Sequence, residues 1–308
     1  GHHLSPCMIP PQDQAVRPGT PGPSTDTTRA GYVTLVGRPN AGKSTLLNSL
    51  VGSKLSIVTE KAQTTWQRVT GIATRNGVQM IFLDTPGLLD PRDMLQRSMS
   101  LAAEEAVREA DVVLLVLDAR EPLESGQADR IRSVLAEASA PMVVAVNKTD
   151  VASAESVARW DAWAEETLSP SAVHRVSALQ GSGLAALEKD LARLLPESPF
   201  LYPPDDLASE PVRFFVAELI RETVFEQFHE EIPYSVFVGI EEYRASQEPV
   251  YIGASIYVER SSQKGILVGK GGRAIRSLGK AARSKIEEFI GEMRALNLLR
   301  AEVYPRVT

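Results

Sequence analysis

Gly37-Arg38-Pro39-Asn40-Ala41-Gly42-Lys43-Ser44 has the spacing G-x-x-x-x-G-K-[ST], with an apolar strand pattern before it and a helical pattern after it. Glycines at these positions let backbone N–H groups turn inward and cradle a phosphate, aided by the positive end of the following helix. The Lys43 ammonium can reach β- and γ-phosphates, and the Ser44 hydroxyl can bind Mg²⁺. Thr45 completes the candidate contacts of this stretch. By itself the motif specifies a nucleoside triphosphate and leaves the base open.

Two further clusters narrow the chemistry. Asp84-Thr85-Pro86-Gly87 follows the apolar run Met80 to Leu83. An acid at the tip of a strand can hold Mg²⁺ through water, and Gly87 can offer its N–H to a γ-phosphate with no side chain in the way. Asn147-Lys148-Thr149-Asp150 follows the apolar run Met142 to Val146. A carboxylate there can accept from both the ring N–H and the exocyclic amine of guanine, a donor pair adenine lacks. The apolar stem of Lys148 can lie against the ring. Ser177-Ala178-Leu179 can supply a backbone N–H to the guanine carbonyl. Taken singly, each tetrapeptide also reads as a turn; the order of the three is what points to GTP and GDP.

These groups must be held by strands and helices in alternation. The pattern from Gly31 onward predicts strands at Tyr32–Val36, Val69–Thr74, Gln79–Leu83, Val112–Leu117, Met142–Val146 and Val173–Val176. Helices are predicted near 43–50, 95–109, 127–137, 154–167 and 184–195. Short apolar strands separated by helices imply crossover connections and a mostly parallel α/β sheet. Asn76-Gly77 marks a hairpin.

Length and composition bound the rest. The chain has 308 residues, 43% hydrophobic and 23% charged, with a net charge of −6. Two domains are expected, and any nucleic-acid surface must be local. A single cysteine, Cys7, excludes a disulfide framework. No apolar run is long enough to span a bilayer and no signal-peptide pattern is visible, so a cytoplasmic protein is expected. Residues 1–30, rich in Pro, Gly, Ser and Thr, read as a disordered arm. Residues 31–196 form the first domain, the proline-rich 197–210 a stiff linker, and 211–308 a smaller α+β domain.

That second domain reads as helix, two strands, two helices and a last strand near Asn297–Tyr304. Gly269-Lys270-Gly271-Gly272 lies between its two later helices and matches the G-x-x-G loop of a KH domain, which clamps single-stranded RNA by its backbone. A lone G-x-x-G is often only a helix–helix turn. Here Arg260, Lys264, Lys270, Arg273, Arg276, Lys280, Arg283 and Lys285 surround it, with no acidic residue from 260 to 285. This is a local phosphate footprint in an acidic chain; the bland reading is a solvated basic face. The candidate RNA contacts are Lys264, Gly269, Lys270, Gly271, Gly272, Arg273, Arg276 and Lys280.

The order of nucleotide motifs over about residues 31–195 resembles the Ras-like GTPase superfamily. That resemblance makes Thr65 the second hydroxyl on Mg²⁺, with Thr64 the alternative, and places Lys43, Thr65 and Gly87 around the reacting phosphate. Ras-type enzymes carry a water-orienting glutamine after the glycine; this chain has Leu88, so intrinsic hydrolysis is expected to be slow. Asn40 is shared with a GTPase subgroup that uses potassium, which makes K⁺ stimulation an expectation. A Ras-like domain followed by a type II KH domain resembles the bacterial Era family. The match runs through Gly37–Asn48, Lys61–Thr65, Leu219-Ile220-Arg221-Glu222, Pro233–Val236, Val258-Glu259-Arg260 and Gln263-Lys264-Gly265, and spans about residues 30–304. It implies binding of the 3′ end of 16S ribosomal RNA and assistance to assembly of the 30S subunit. A monomer, no DNA partner and peripheral association with the inner membrane accompany that expectation. Trp66 stands where the family usually has arginine, and the sequence ends at Thr308 without the tryptophan-containing tail that often follows. A second reading is a membrane-surface or cell-cycle signalling GTPase whose C-terminal domain binds protein or acidic lipid; a third is a nucleotide holder that hardly turns over.

Overall fold

The computed structural model describes residues 27–53, 55, 69–86, 101, 103–123, 125–136, 138–208, 212–229, 232–244 and 249–295. The first unit is built on a six-stranded sheet: β1 (Arg29–Val36), β2 (Val69–Arg75), β3 (Val78–Asp84), β4 (Val112–Asp118), β5 (Met142–Asn147) and β6 (Ala172–Arg175). Their order across the sheet is β2-β3-β1-β4-β5-β6. Every neighbouring pair is parallel except β2–β3, the hairpin. Asn76 and Gly77 both have positive φ, 51° and 76°, as a two-residue turn matched to strand twist requires.

β4 explains itself from composition. Its residues are all buried, Val112 through Asp118, because a central parallel strand is covered on both faces and must be apolar throughout. Helices α1 (Lys43–Val51), α2 (Ser125–Leu135), α3 (Ala154–Leu168) and α4 (Leu184–Leu194) provide the cover. Two apolar clusters result, one containing Leu46, Leu50 and Leu187, the other Ile131, Val157 and Trp160. α3 starts at Ser153, whose hydroxyl accepts the Ser156 N–H at 3.2 Å, a side-chain N-cap. The strands mostly begin or end one to three residues beyond the expected limits; β1 starts at Arg29, three residues early, where Arg29 pairs with Val78.

The proline-rich stretch after α4 is more tightly held than a spacer. Ala30 N–H donates to the Pro196 carbonyl at 3.3 Å and Ser198 N–H to the Thr28 carbonyl at 3.0 Å. Ile72 N–H donates to the Leu207 carbonyl at 2.7 Å. Tyr202 packs with Ile72, Ile81 and Leu83. Polar, proline-rich composition reads as a stiff linker and by itself names no partner for this stretch. Backbone donors on the outer edge strand β2 and a buried side chain on β3 instead give residues 196–208 partners.

The second unit comprises α5 (Val212–Gln227), a 3₁₀ turn Ile232–Tyr234, β7 (Val236–Arg244), β8 (Tyr251–Val258), α6 (Ser261–Val268) and α7 (Arg273–Ala295). β7 and β8 pair antiparallel, with an irregularity between Ile240 and Glu242. Phe215 of α5 meets Phe289 of α7 at 5.7 Å between ring centroids. Beside them, Lys285 bonds the carboxylates of Glu222 at 2.8 Å and Glu226 at 2.6 Å. The expected last strand, 297–304, and the N-terminal arm to residue 26 lie outside the described residues. Among those described, no helix is long and apolar enough to cross a membrane.

Candidate nucleotide site and nucleic-acid interface

The loop between β1 and α1 lies against the tip of the sheet. A Cβ on Gly37 would come within 2.3 Å of the Val116 carbonyl oxygen, so the loop approaches β4 more closely than any side chain permits. Gly42 has φ 99° and a Cβ there would meet Asn147 Nδ2 at 2.2 Å. Only glycine meets both demands. Pro39 and Asn40 make the turn, Asn40 at φ 61°, and Ala41 is buried beneath it.

Lys43 is buried, and its Nζ donates to the carbonyls of Gly37 and Arg38, each at 3.0 Å. Burial, partly offset by Asp84 and reinforced by Lys148, lowers its pKa to about 8. The ammonium is thus folded over the loop that would cradle a phosphate. Ser44 Oγ donates to Asp84 Oδ2 at 2.6 Å, which brings the first and second motifs together. Hydroxyl and carboxylate oxygens at the mouth of a phosphate loop fit Mg²⁺, a cation that takes few protein ligands and completes its shell with phosphate and water. Thr45 follows in α1, half-buried.

Asn147 joins the third motif to the first. Its Nδ2 donates to the Ala41 carbonyl at 2.9 Å, and its Oδ1 accepts the Ala178 N–H at 2.9 Å. One side chain therefore fixes the phosphate loop and the Ser177-Ala178-Leu179 turn relative to each other. Ser177 is buried and Leu179 is 76% exposed. Ser49 Oγ of α1 adds a bond to the Ala178 carbonyl at 2.8 Å. Lys148, at φ 64°, donates to the Asn40 carbonyl and to Asp118 Oδ2 at 2.8 Å. Asp150 is exposed at the same edge. Thr64, Thr65, Gly87 and Leu88 fall outside the described residues.

Sequence reasoning missed the turn after β4. Asp118 accepts from Arg120 Nε at 3.1 Å and Nη2 at 2.8 Å, and Arg38 of the phosphate loop donates to Glu121 at 2.6 Å. The signal was present: an acid ending a fully apolar strand, as Asp84 does two strands away.

In the second unit, Gly269, Gly271 and Gly272 have φ 70°, 61° and 73°. A Cβ on Gly269 would strike that of Ala274 at 2.6 Å, whereas around Gly271 nothing lies within 4 Å. Arg276 Nη2 donates to the Gly271 carbonyl at 2.7 Å and Arg273 Nε to that of Lys270 at 3.3 Å. Lys264, Lys270, Arg273, Arg276 and Lys280 are all exposed. α6, the glycine turn and α7 therefore present an accessible backbone ringed by cations.

A phosphate loop, a strand-tip acid and a guanine-type Asn-Lys-x-Asp on a Ras-like sheet define a GTPase, here followed by a KH-type unit. Comparison with known proteins agrees. The family model described as "50S ribosome-binding GTPase" matches residues 32–148 and that of the KH domain residues 231–303. GTPase Era of Carboxydothermus hydrogenoformans is 41% identical over 275 residues, 88% of this chain and 91% of that one. GTPase Era of Sinorhizobium medicae is 41% identical over 264 residues, 85% of each. Two solved structures superpose with TM-score 0.79 at 36% identity, covering 86% of this chain and 90% of theirs. One is an Aquifex aeolicus Era variant bound to GDP and aluminium fluoride; the other is Era with MgGDPNP and nucleotides 1506–1542 of 16S ribosomal RNA. The chain belongs to the Era family of GTPases and hydrolyses GTP.

Proposed function

We propose that this GTPase is a nucleotide-controlled RNA-binding switch whose KH unit takes the 3′ end of 16S ribosomal RNA and assists maturation of the 30S subunit. Its working parts are a GTPase domain at 31–196, a connecting stretch at 197–210 and an RNA-binding domain at 211–308, acting in the cytoplasm as a monomer. The carrying observation is the Gly269–Gly272 turn, whose open backbone at Gly271 and surrounding cations suit a sugar-phosphate chain. A related Era solved with 16S ribosomal RNA nucleotides supports the same partner.

In the nucleotide site, backbone N–H groups of the Gly37–Thr45 loop other than Pro39, which has none, receive the phosphates. Lys43 exchanges its Gly37 and Arg38 carbonyls for phosphate oxygens, and Gly87 offers its N–H to the γ-phosphate. Asp150 reads the two guanine donors, Ala178 N–H meets the guanine carbonyl, and Lys148 walls the ring. Ser44, Asp84 and Thr65 would hold Mg²⁺, which would supply charge neutralisation for the phosphates. Leu88 cannot orient water, so turnover is slow, and Asn40 makes potassium the cation to test: equal turnover in sodium and potassium buffers removes it.

Fluorescence anisotropy of a single strand copying the 3′ end of 16S ribosomal RNA tests the RNA reading, with GDP against a non-hydrolysable GTP analogue and Gly271→Asp as control. Tighter binding with the GTP analogue, lost in Gly271→Asp, is the expected result. No binding in either state sinks the RNA partner and leaves the GTPase intact.

A further inference from the structure

We propose that Asp118 is a positioning residue of the base site, holding Lys148 against the phosphate loop and keeping Arg120 off Asp150. The inference rests on the reading of Lys148 and Asp150 as the guanine clamp.

Asp118 ends β4 opposite Asn147 at the end of β5, so its side chain starts one residue from Lys148 across the strand pair. That side chain is only 2% exposed. All its bonds come from two cationic residues: Lys148 Nζ and Arg120 Nη2 on Oδ2, and Arg120 Nε and backbone N–H on Oδ1. Burial would push this carboxyl up, yet the hydrogen bonds from Arg120 and Lys148 hold it below its ordinary value. The carboxylate is therefore a fixed anion inside the turn.

A lysine side chain carries roughly 2 kcal/mol of rotamer entropy. Here Lys148 is pinned at two acceptors, Asp118 and the Asn40 carbonyl, so its stem is set as a wall before any base arrives. A ligand then meets a preorganised surface and loses less to ordering. Arg120 supplies the second half of the argument. Its guanidinium feels the charges of Asp118, Glu121 and Asp150. It is forked onto Asp118, a bidentate geometry, and Glu121 is engaged by Arg38. With Asp118 neutralised, Asp150 becomes the carboxylate for Arg120 to engage, in competition with the guanine donors.

The test measures Kd for a fluorescent GDP and GTP turnover in wild type, Asp118→Asn, Lys148→Met and the double variant. Asp118→Asn should weaken GDP about 30-fold, the equivalent of ~2 kcal/mol. KM should rise in like proportion while kcat at saturation changes less than threefold. A merely structural lesion would instead lower kcat through the active fraction and leave KM alone. In the double variant the losses should fall well short of multiplying, because Asp118 acts largely through Lys148. Adding Arg120→Ala to Asp118→Asn should recover part of the affinity. GDP affinity within twofold of wild type in Asp118→Asn, or fully multiplicative losses, would overturn the proposal. A wild type that binds ADP as well as GDP would sink the base-site reading itself.

Discussion

Gln79 grips Tyr202 at both backbone atoms, its Nε2 donating to the carbonyl at 2.9 Å and its Oε1 accepting the N–H at 3.0 Å. The same Oε1 takes the Leu201 N–H at 2.8 Å, and Nε2 also reaches Thr74 Oγ1 at 3.0 Å. Gln79 is fully buried, so this is a completely engaged amide inside the β2–β3 hairpin. That hairpin follows the segment carrying Thr65 and ends on Asp84. The segment entering the KH unit is thus fastened to the hairpin that lies between Thr65 and Gly87 in the sequence.

Gln79→Ala removes those four bonds from a fully buried position and takes from residues 201 and 202 the backbone partners that Gln79 supplies. The expected cost is about 2–3 kcal/mol, read as a lower midpoint in urea. Limited proteolysis should move to residues 196–208. A midpoint unchanged from wild type, with the stretch still protected, would refute the clamp.

Asn147→Ala severs the phosphate loop from the Ala178 turn at once. Its two bonds are buried and internal to the protein, so the loss should lower stability as well as nucleotide affinity. Weakening of GDP by roughly 100-fold, about 3 kcal/mol, is expected from equilibrium titration. A loss below threefold would mean the two loops hold their places unaided.

Lys43 sets a pH dependence. In the free protein its pKa is near 8 because it is buried, and a bound phosphate would raise it. Nucleotide affinity should therefore be flat below pH 8 and fall above it, approaching tenfold per pH unit, as binding begins to require proton uptake. For folding of the free protein the sign is opposite. The unfolded chain keeps the lysine proton up to about 10.5, so this residue favours the folded state increasingly as pH rises from 8. Titration of GDP from pH 6.5 to 9 checks the first statement; a flat profile would remove Lys43 from the phosphate contacts.

Lys285 lies between Glu222, whose side chain is 1% exposed, and Glu226. The two carboxylates hold its pKa above the ordinary value despite burial. Lys285→Met takes a close cation from the buried Glu222 carboxylate, so the KH unit should lose roughly 3 kcal/mol, seen by thermal unfolding. GTP turnover should be retained. The double change Lys285→Met with Glu222→Leu should recover most of the loss; if it does not, packing rather than charge explains the effect.

The strands and motifs were legible because each is local. Val112–Leu117 is apolar at every position, which only a strand covered on both faces requires, and Gly37–Ser44 carries its own turn geometry in its glycines. The same holds for Asn76-Gly77 and for the Gly269–Gly272 turn with its run of cations. Composition marked 197–210 as a linker but could not show which groups it touches, since a polar, proline-rich stretch is silent about a buried Gln79 on another strand. Asp118 was passed over for another reason: an acid after an apolar strand acquires meaning only when Lys148 arrives from the next strand and Arg120 of its own turn folds back on it.

Sequence alone determined the chemistry of this protein. The proposed phosphate cradle, magnesium ligands, guanine reader and glycine loop are each short strings in which spacing and side-chain type carry the reading. The tertiary structure decided how those strings constrain one another. Asn147 ties two loops, Asp118 holds Lys148 and Gln79 anchors the connecting stretch, because these hydrogen bonds join residues 30 to 123 positions apart and exist only once the chain has folded.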